Sequence, residues 1–145
     1  MTQKEKQLLL KDLCARLPYG VVLNVPTTDG SENKKLVSIV NEDDGVPCAA
    51  VYGTEEKKSD GSLISYAKTT YAICDVLPYL RPMSSMTDEE KEDYVSLSNH
   101  CISTSVGFAY LEAQVLVEWL NSCHFDFRNL IERGLALEAP EGMYN

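Results

Sequence analysis

The hydrophobic period of this chain changes twice along its length, and that restricts the fold more than any other feature. Over Thr2 to Arg16, apolar residues recur at helical spacing, with Leu9, Leu10, Leu13, Ala15 and Leu17 supplying a stripe. Thr2 and Glu5 have the Thr-x-x-Glu spacing of a capping box, in which the threonine hydroxyl accepts from the third helical N–H and the carboxylate reaches back. Pro18 and Gly20 stop the helix. The period then falls to two. Val21, Leu23 and Val25 alternate with Val22 and Asn24; Leu36, Ser38 and Val40 alternate with Val37 and Ile39; Ala49 and Val51 alternate with Ala50 and Tyr52. Two further β-rich runs cover Ser62–Tyr66 and Tyr71–Val76, and the clusters TTDGSEN, NEDDG and SDG separate the runs as turns. Short strands with nothing helical between them argue against a βαβ sheet and predict an antiparallel meander of about five strands. An SH3-like roll is the natural closure, with an open sheet backed by three helices as the alternative.

The helical period returns after Val76–Ser85. That segment, VLPYLRPMSS, reads as an extended path out of the sheet, braced by Pro78 and Pro82. A second Thr-x-x-Glu, Thr87 to Glu90, opens an acidic helix with the apolar stripe Met86, Tyr94, Leu97 and Cys101. Asp88, Glu89, Glu90, Glu92 and Asp93 favour the positive end of its dipole. A third helix, about Ser105 to Cys123, is apolar on two faces. One is Val106, Ala109, Tyr110, Ala113, Val117 and Leu120; the other is Phe108, Leu111, Val115 and Trp119. Such a helix is expected to be central, packed on both the sheet and the acidic helix. In the tail, Asp126 caps and Gly134 ends a short helix, followed by extended LALEA. The whole predicts one α+β domain over 1–145. Residues 2–85 form helix plus antiparallel sheet, and residues 86–140 an acidic helical part and tail.

Charge is unevenly divided. Residues 1–85 carry a net charge of −1, and residues 86–145 carry −8. Such a surface repels the phosphates of nucleic acid and of anionic lipid, so direct nucleic-acid binding is not expected. The opening MTQKEKQLLLKDL lacks the pattern of a signal peptide, and no apolar run approaches the ~20 residues that span a bilayer. The five cysteines form no CxxC pair, and four lie in apolar segments, as buried thiols in a reducing compartment would. A cytoplasmic protein without membrane contact is expected.

Few chemistries fit. The strings G-x-S-x-G, G-x-x-x-x-G-K-[ST] and G-x-G-x-x-G are all absent. His100–Cys101 and Cys123–His124 supply the residue types of a zinc site. Adjacent helical residues point ~100° apart, however, whereas zinc pairs sit two to four residues apart, so no metal and no cofactor is expected. A Cys–His nucleophile is disfavoured because Cys101 and Cys123 lie in the most acidic region, where thiolate is unfavourable. The carboxylates of 88–93 read as an exposed, capped helix start. The best local candidate for a functional surface is His124, Asp126 and Arg128. If extended, these would share one face while Phe125 and Phe127 enter the core. The alternative is an anchor for the tail, with Asp126 as a cap. Tyr79 and Arg81, alternating through the proline-braced segment, are the second candidate, as a peptide-binding lip or as packing.

Three stretches carry a resemblance: LLLKDLCARLPYGV at 8–21, YLRPMSSMTDEEK at 79–91 and WLNSCHFDFRNLIERGLALEAPEGMY at 119–144. In the same order, and over a little more than a third of the chain, they resemble a family of small proteins from gut Bacteroidetes, their prophages and mobile elements. The family has no assigned activity. The resemblance implies a bacterial or phage origin and an accessory role, and carries over no catalytic residue. The family's pattern in the tail is His-Phe-Asp-aromatic-Arg-Gly. Here Asn129 replaces the glycine, a position at which glycine would permit positive φ. The function expected is a non-enzymatic protein-interaction domain with a protein partner. The alternatives are an acidic mimic of DNA that occupies a DNA-binding protein, and a small hydrolase using His124.

Overall fold

The computed structural model describes residues 1–52, 59–61, 68–103 and 106–145, and of 102, 103 and 106–111 the backbone alone. The chain is α+β. Helix α1 (Gln3–Arg16) precedes strands β1 (Val22–Thr27), β2 (Gly30–Asn41), β3 (Pro47–Tyr52), β4 (Lys68–Ala72) and β5 (Leu77–Leu80). Helices α2 (Asp88–Ser103) and α3 (Val106–Ser122) and the short strand β6 (Leu137–Glu138) follow. Two compact units divide the chain, Met1–Tyr79 and Leu80–Asn145.

In the first unit, α1 starts where its local chemistry dictates. The Thr2 N–H donates to Glu5 Oε2 at 2.6 Å, and the Glu5 N–H donates to Thr2 Oγ1 at 3.3 Å. The buried face is Leu9, Asp12, Leu13 and Arg16, one strict three-and-four stripe. Leu10 and Ala15, placed on the stripe from the sequence, are only half-buried. Gly20, at φ +68°, turns the chain into β1, and a Cβ there would collide with the Lys35 side chain.

Along β1 the predicted alternation holds, with Val21, Leu23 and Val25 fully buried. A two-residue turn joins it to β2, Thr27 standing opposite Gly30. β2 is far longer than its apolar part, because the polar run Ser31–Lys35 pairs with β1 and offers no hydrophobic signal. Its second half, from Leu36, pairs with β3, and a register shift between Leu36 and Ser38 interrupts that pairing near its start. Such a bulge bends a strand and lets it serve two neighbours. β3 departs from the expected alternation: Cys48, Ala49, Ala50 and Val51 are all buried, as in a strand covered on both faces.

The run Ser62–Tyr66 lies outside the described residues. Tyr71–Val76 is not one strand. β4 ends at Ala72, and a 3-10 turn, Ile73–Asp75, follows. The segment VLPYLRPMSS does not leave the sheet, since Leu77 and Pro78 pair antiparallel with Asn24 and Leu23. Within the first unit the strand order is β4-β3-β2-β1-β5, so the strands depart from the expected simple meander: β5 returns to the far side of β1 instead of following β4. A period of two runs straight through the proline, with Val76, Pro78 and Leu80 buried and Leu77 and Tyr79 half-buried. Proline argues against a strand only where its nitrogen must donate to a neighbour.

In the second unit, α2 opens on the predicted capping box. Thr87 N–H donates to Glu90 Oε2 at 2.8 Å and Glu90 N–H to Thr87 Oγ1 at 3.2 Å. Its core holds Met86, Leu120 and Phe125, ringed by Tyr94, Leu116 and Trp119. α3 is not apolar on two packed faces over its described part. Leu116, Trp119, Leu120 and Cys123 form one inward stripe, while Val115 and Val117 are 48% and 37% exposed. Residues 124–136 form turns and no helix. Leu80 belongs to this unit, and its carbonyl accepts from Ala139 N–H at 2.8 Å beside β6.

The cysteines also differ from expectation. Cys48 is buried, but Cys14 and Cys74 are exposed and Cys101 and Cys123 half-exposed. Cys14 falls between the buried Leu13 and Arg16, on the outer arc of α1. Among the described residues no helix is long and apolar enough to cross a membrane.

Candidate functional site

Arg81 and the segment His124–Asp126 come together through the backbone. The Arg81 N–H donates to the His124 carbonyl and the Asp126 N–H to the Arg81 carbonyl, both at 2.8 Å, in an isolated parallel bridge centred on Phe125. This pairing sets the Arg81 guanidinium 4.3 Å above the Phe125 ring. From there Nη1 and Nη2 each donate to one oxygen of Glu90 at 2.8 Å, and Nη2 donates to the Ser85 carbonyl at 3.3 Å. One carboxylate therefore caps α2 and holds Arg81 in a bidentate pair. The Arg81 hydrogen bond holds the Glu90 pKa below the usual carboxylate range, helped by the Thr87 N–H and opposed by burial.

His124, Asp126 and Arg128 do not share an extended face. His124 adopts φ +60°, which reverses the chain after α3. Its ring is 4% exposed and stacks on Tyr144, centroids 3.8 Å apart. Asp126, also buried, accepts the Leu130 N–H at 2.8 Å and the Ile131 N–H at 2.9 Å. It thus caps a turn, where the sequence suggested a helix. Arg128 lies 4.3 Å over the Phe127 ring and reaches Asn121 Oδ1 at 3.4 Å. Tyr79 stands in the first unit, where its hydroxyl accepts from Asn24 Nδ2 at 3.4 Å. Asn129 holds φ +56°, so the conformation that glycine would favour is reached here by asparagine, the side chain that best tolerates it.

Arg81 also lines a cleft of about 420 Å³ with Pro82, Thr87, Glu138, Glu141 and Tyr144. His124 does not line it. Among the described residues no group of three His, Cys, Asp or Glu side chains is placed to hold a metal ion. Burial pushes the Cys123 thiol pKa upward, away from a nucleophilic thiolate. Sequence reasoning grouped Glu90 with its exposed neighbours and missed its role. The signal was the capping box, which already tied that carboxylate to the backbone rather than to solvent.

Asp126→Ala is expected to destabilise the chain by about 1–3 kcal/mol, because two sheltered N–H groups lose their acceptor. Urea unfolding measures this, and Asp126→Asn, which keeps one carbonyl oxygen, should recover part of the loss. No family model matches the chain, and neither a curated protein nor a solved structure matches it.

Proposed function

We propose that the chain is a non-enzymatic protein-interaction domain, an accessory protein of a bacterium or its prophage acting in the cytoplasm. The observation that carries this reading is the commitment of the candidate site residues Arg81, Asp126 and His124 to internal contacts. Arg81 is held by Glu90, Asp126 caps a turn, and His124 lies under Tyr144. A hydrolase would need His124 facing a substrate cavity. The first unit is read as an SH3-like roll, supported by the order β4-β3-β2-β1-β5, the bulged β2 and the 3-10 turn before β5. The DNA-mimic reading draws on Asp88, Glu89, Glu92 and Asp93, which remain exposed once Glu90 is engaged.

Affinity purification of the tagged chain at low salt, eluted by a salt gradient, tests the proposal. The expected result is one stoichiometric protein partner that persists at high salt and re-forms the complex when purified. Release of a DNA-binding protein at moderate salt, with displacement by DNA, would transfer the reading to the mimic. Absence of any partner would overturn both.

A further inference from the structure

β4 ends the strand order of the first unit, and among the described residues no strand pairs beyond it. Its register against β3 is regular from Lys68 opposite Tyr52 to Ala72 opposite Cys48. Natural edge strands are usually blunted by proline, by a bulge or by charges along the strand. β4 reads KTTYA, with no proline, no register shift and a single charge at its first residue. Thr69, Thr70 and Tyr71 favour extended backbone, and Lys68, Thr69 and Thr70 are exposed. Backbone groups alternate sides along a strand, so β4 directs part of its N–H and C=O groups away from β3.

Two neighbouring features say what chemistry such an edge would select. Glu42 accepts the Thr70 hydroxyl at 2.7 Å, which brings a carboxylate to the face of β4, and the exposed Asp43 and Asp44 follow it. The Cys48 thiol, opposite Ala72, senses that field: its pKa is raised by burial first and then by Glu42 and Asp44. At the C-terminal end of β4, the apolar Leu10, Val46 and Ile73 and the polar Gln3, Lys6 and Gln7 of α1 border a hollow of about 350 Å³, with Val46 47% exposed. Its apolar wall would suit an apolar side chain.

We infer that the β4 edge is a strand-addition site for an extended segment of a partner protein, one that sets a lysine or arginine against Glu42 and an apolar side chain in the hollow. The inference rests on the protein-interaction reading and names its surface. Main-chain hydrogen bonds to β4 supply the affinity, and the carboxylate and the hollow supply the selectivity.

Amide hydrogen exchange of the full chain, with and without a capped short peptide alternating valine and lysine, tests it. Alternate amides of Lys68–Ala72 are expected to slow by about tenfold or more. The peptide with glutamate in place of lysine should protect them less, and Glu42→Gln with Asp44→Asn should weaken the valine–lysine complex. Binding that slows no amide of β4, or no binding at all, overturns the site. Thr69→Pro and Thr70→Pro add a second control, since adjacent N–H groups point to opposite sides and one of the two faces outward. The variant that keeps its thermal transition is expected to lose the peptide, and undiminished binding by it would also overturn the site. A partner recovered by purification that leaves β4 exchange unchanged would overturn the edge site while the interaction reading stands.

Discussion

Arg16→Met is expected to destabilise the chain by about 3–5 kcal/mol, the range for removing one member of a buried ion pair. Arg16 and Asp12 are both fully buried on α1, one helical turn apart. Arg16 Nε donates to Asp12 Oδ2 at 2.8 Å and Nη2 to Oδ1 at 3.1 Å. Both charges gave up water on folding, and their mutual attraction in a medium of low dielectric offsets that cost only while both are present. Methionine keeps much of the arginine's apolar stem but leaves the Asp12 carboxylate without the guanidinium. The paired replacement, Asp12→Leu with Arg16→Met, removes both desolvation costs together. It is expected to fall within about 2 kcal/mol of the parent or to exceed it. Urea midpoints at constant m-value read all three chains. A single variant as stable as the parent would contradict the account.

Arg81→Ala is expected to cost about 2–4 kcal/mol, through two charged hydrogen bonds and the cation–π contact with Phe125. The pair is partly sheltered, at 23% and 22% side-chain exposure, so solvent screens it less than a surface bridge. A double-mutant cycle with Glu90→Gln isolates the coupling and separates it from the capping of α2, which the glutamine amide can partly preserve. The same pair has a pH signature. The Glu90 pKa is lowered in the folded chain, chiefly by Arg81. Its contribution is therefore complete above the unfolded value of about 4.3 and is lost as pH falls through the lower folded value. Stability measured through that acid limb should fall less steeply in Arg81→Ala than in the parent. An unchanged slope would show that Arg81 does not set the Glu90 titration.

In both pairs the fold shelters residues whose own chemistry points to solvent. The stripe on α1 was visible in outline, but Leu10 and Ala15 looked more suited to the interior than Asp12 and Arg16. Strict spacing from Leu9 would have placed both charged residues inward, and hydrophobicity argued against it. Glu90 failed for the opposite reason, since four exposed carboxylates around it made the whole helix start look solvated. Only the chain reversal at His124, which presents Phe125 and the backbone to Arg81, brings a guanidinium to that one carboxylate. β5 is hard to read in the sequence because Pro78 argues for a break in an apolar alternation that in fact continues through it.

What the sequence determined by itself was local. Both helix starts, at Thr2 and Thr87, and the inward period of β1 follow from hydrogen bonds and side-chain directions set by neighbours a few positions away. That geometry is the same wherever the segment sits. The tertiary structure alone decided that β5 closes on β1, that β3 is buried on both faces, and that Asp12, Arg16 and Glu90 are sheltered while similar neighbours are not. Shelter depends on which distant surface covers a side chain, and a pattern repeating every two or every three-and-four residues carries no record of that surface.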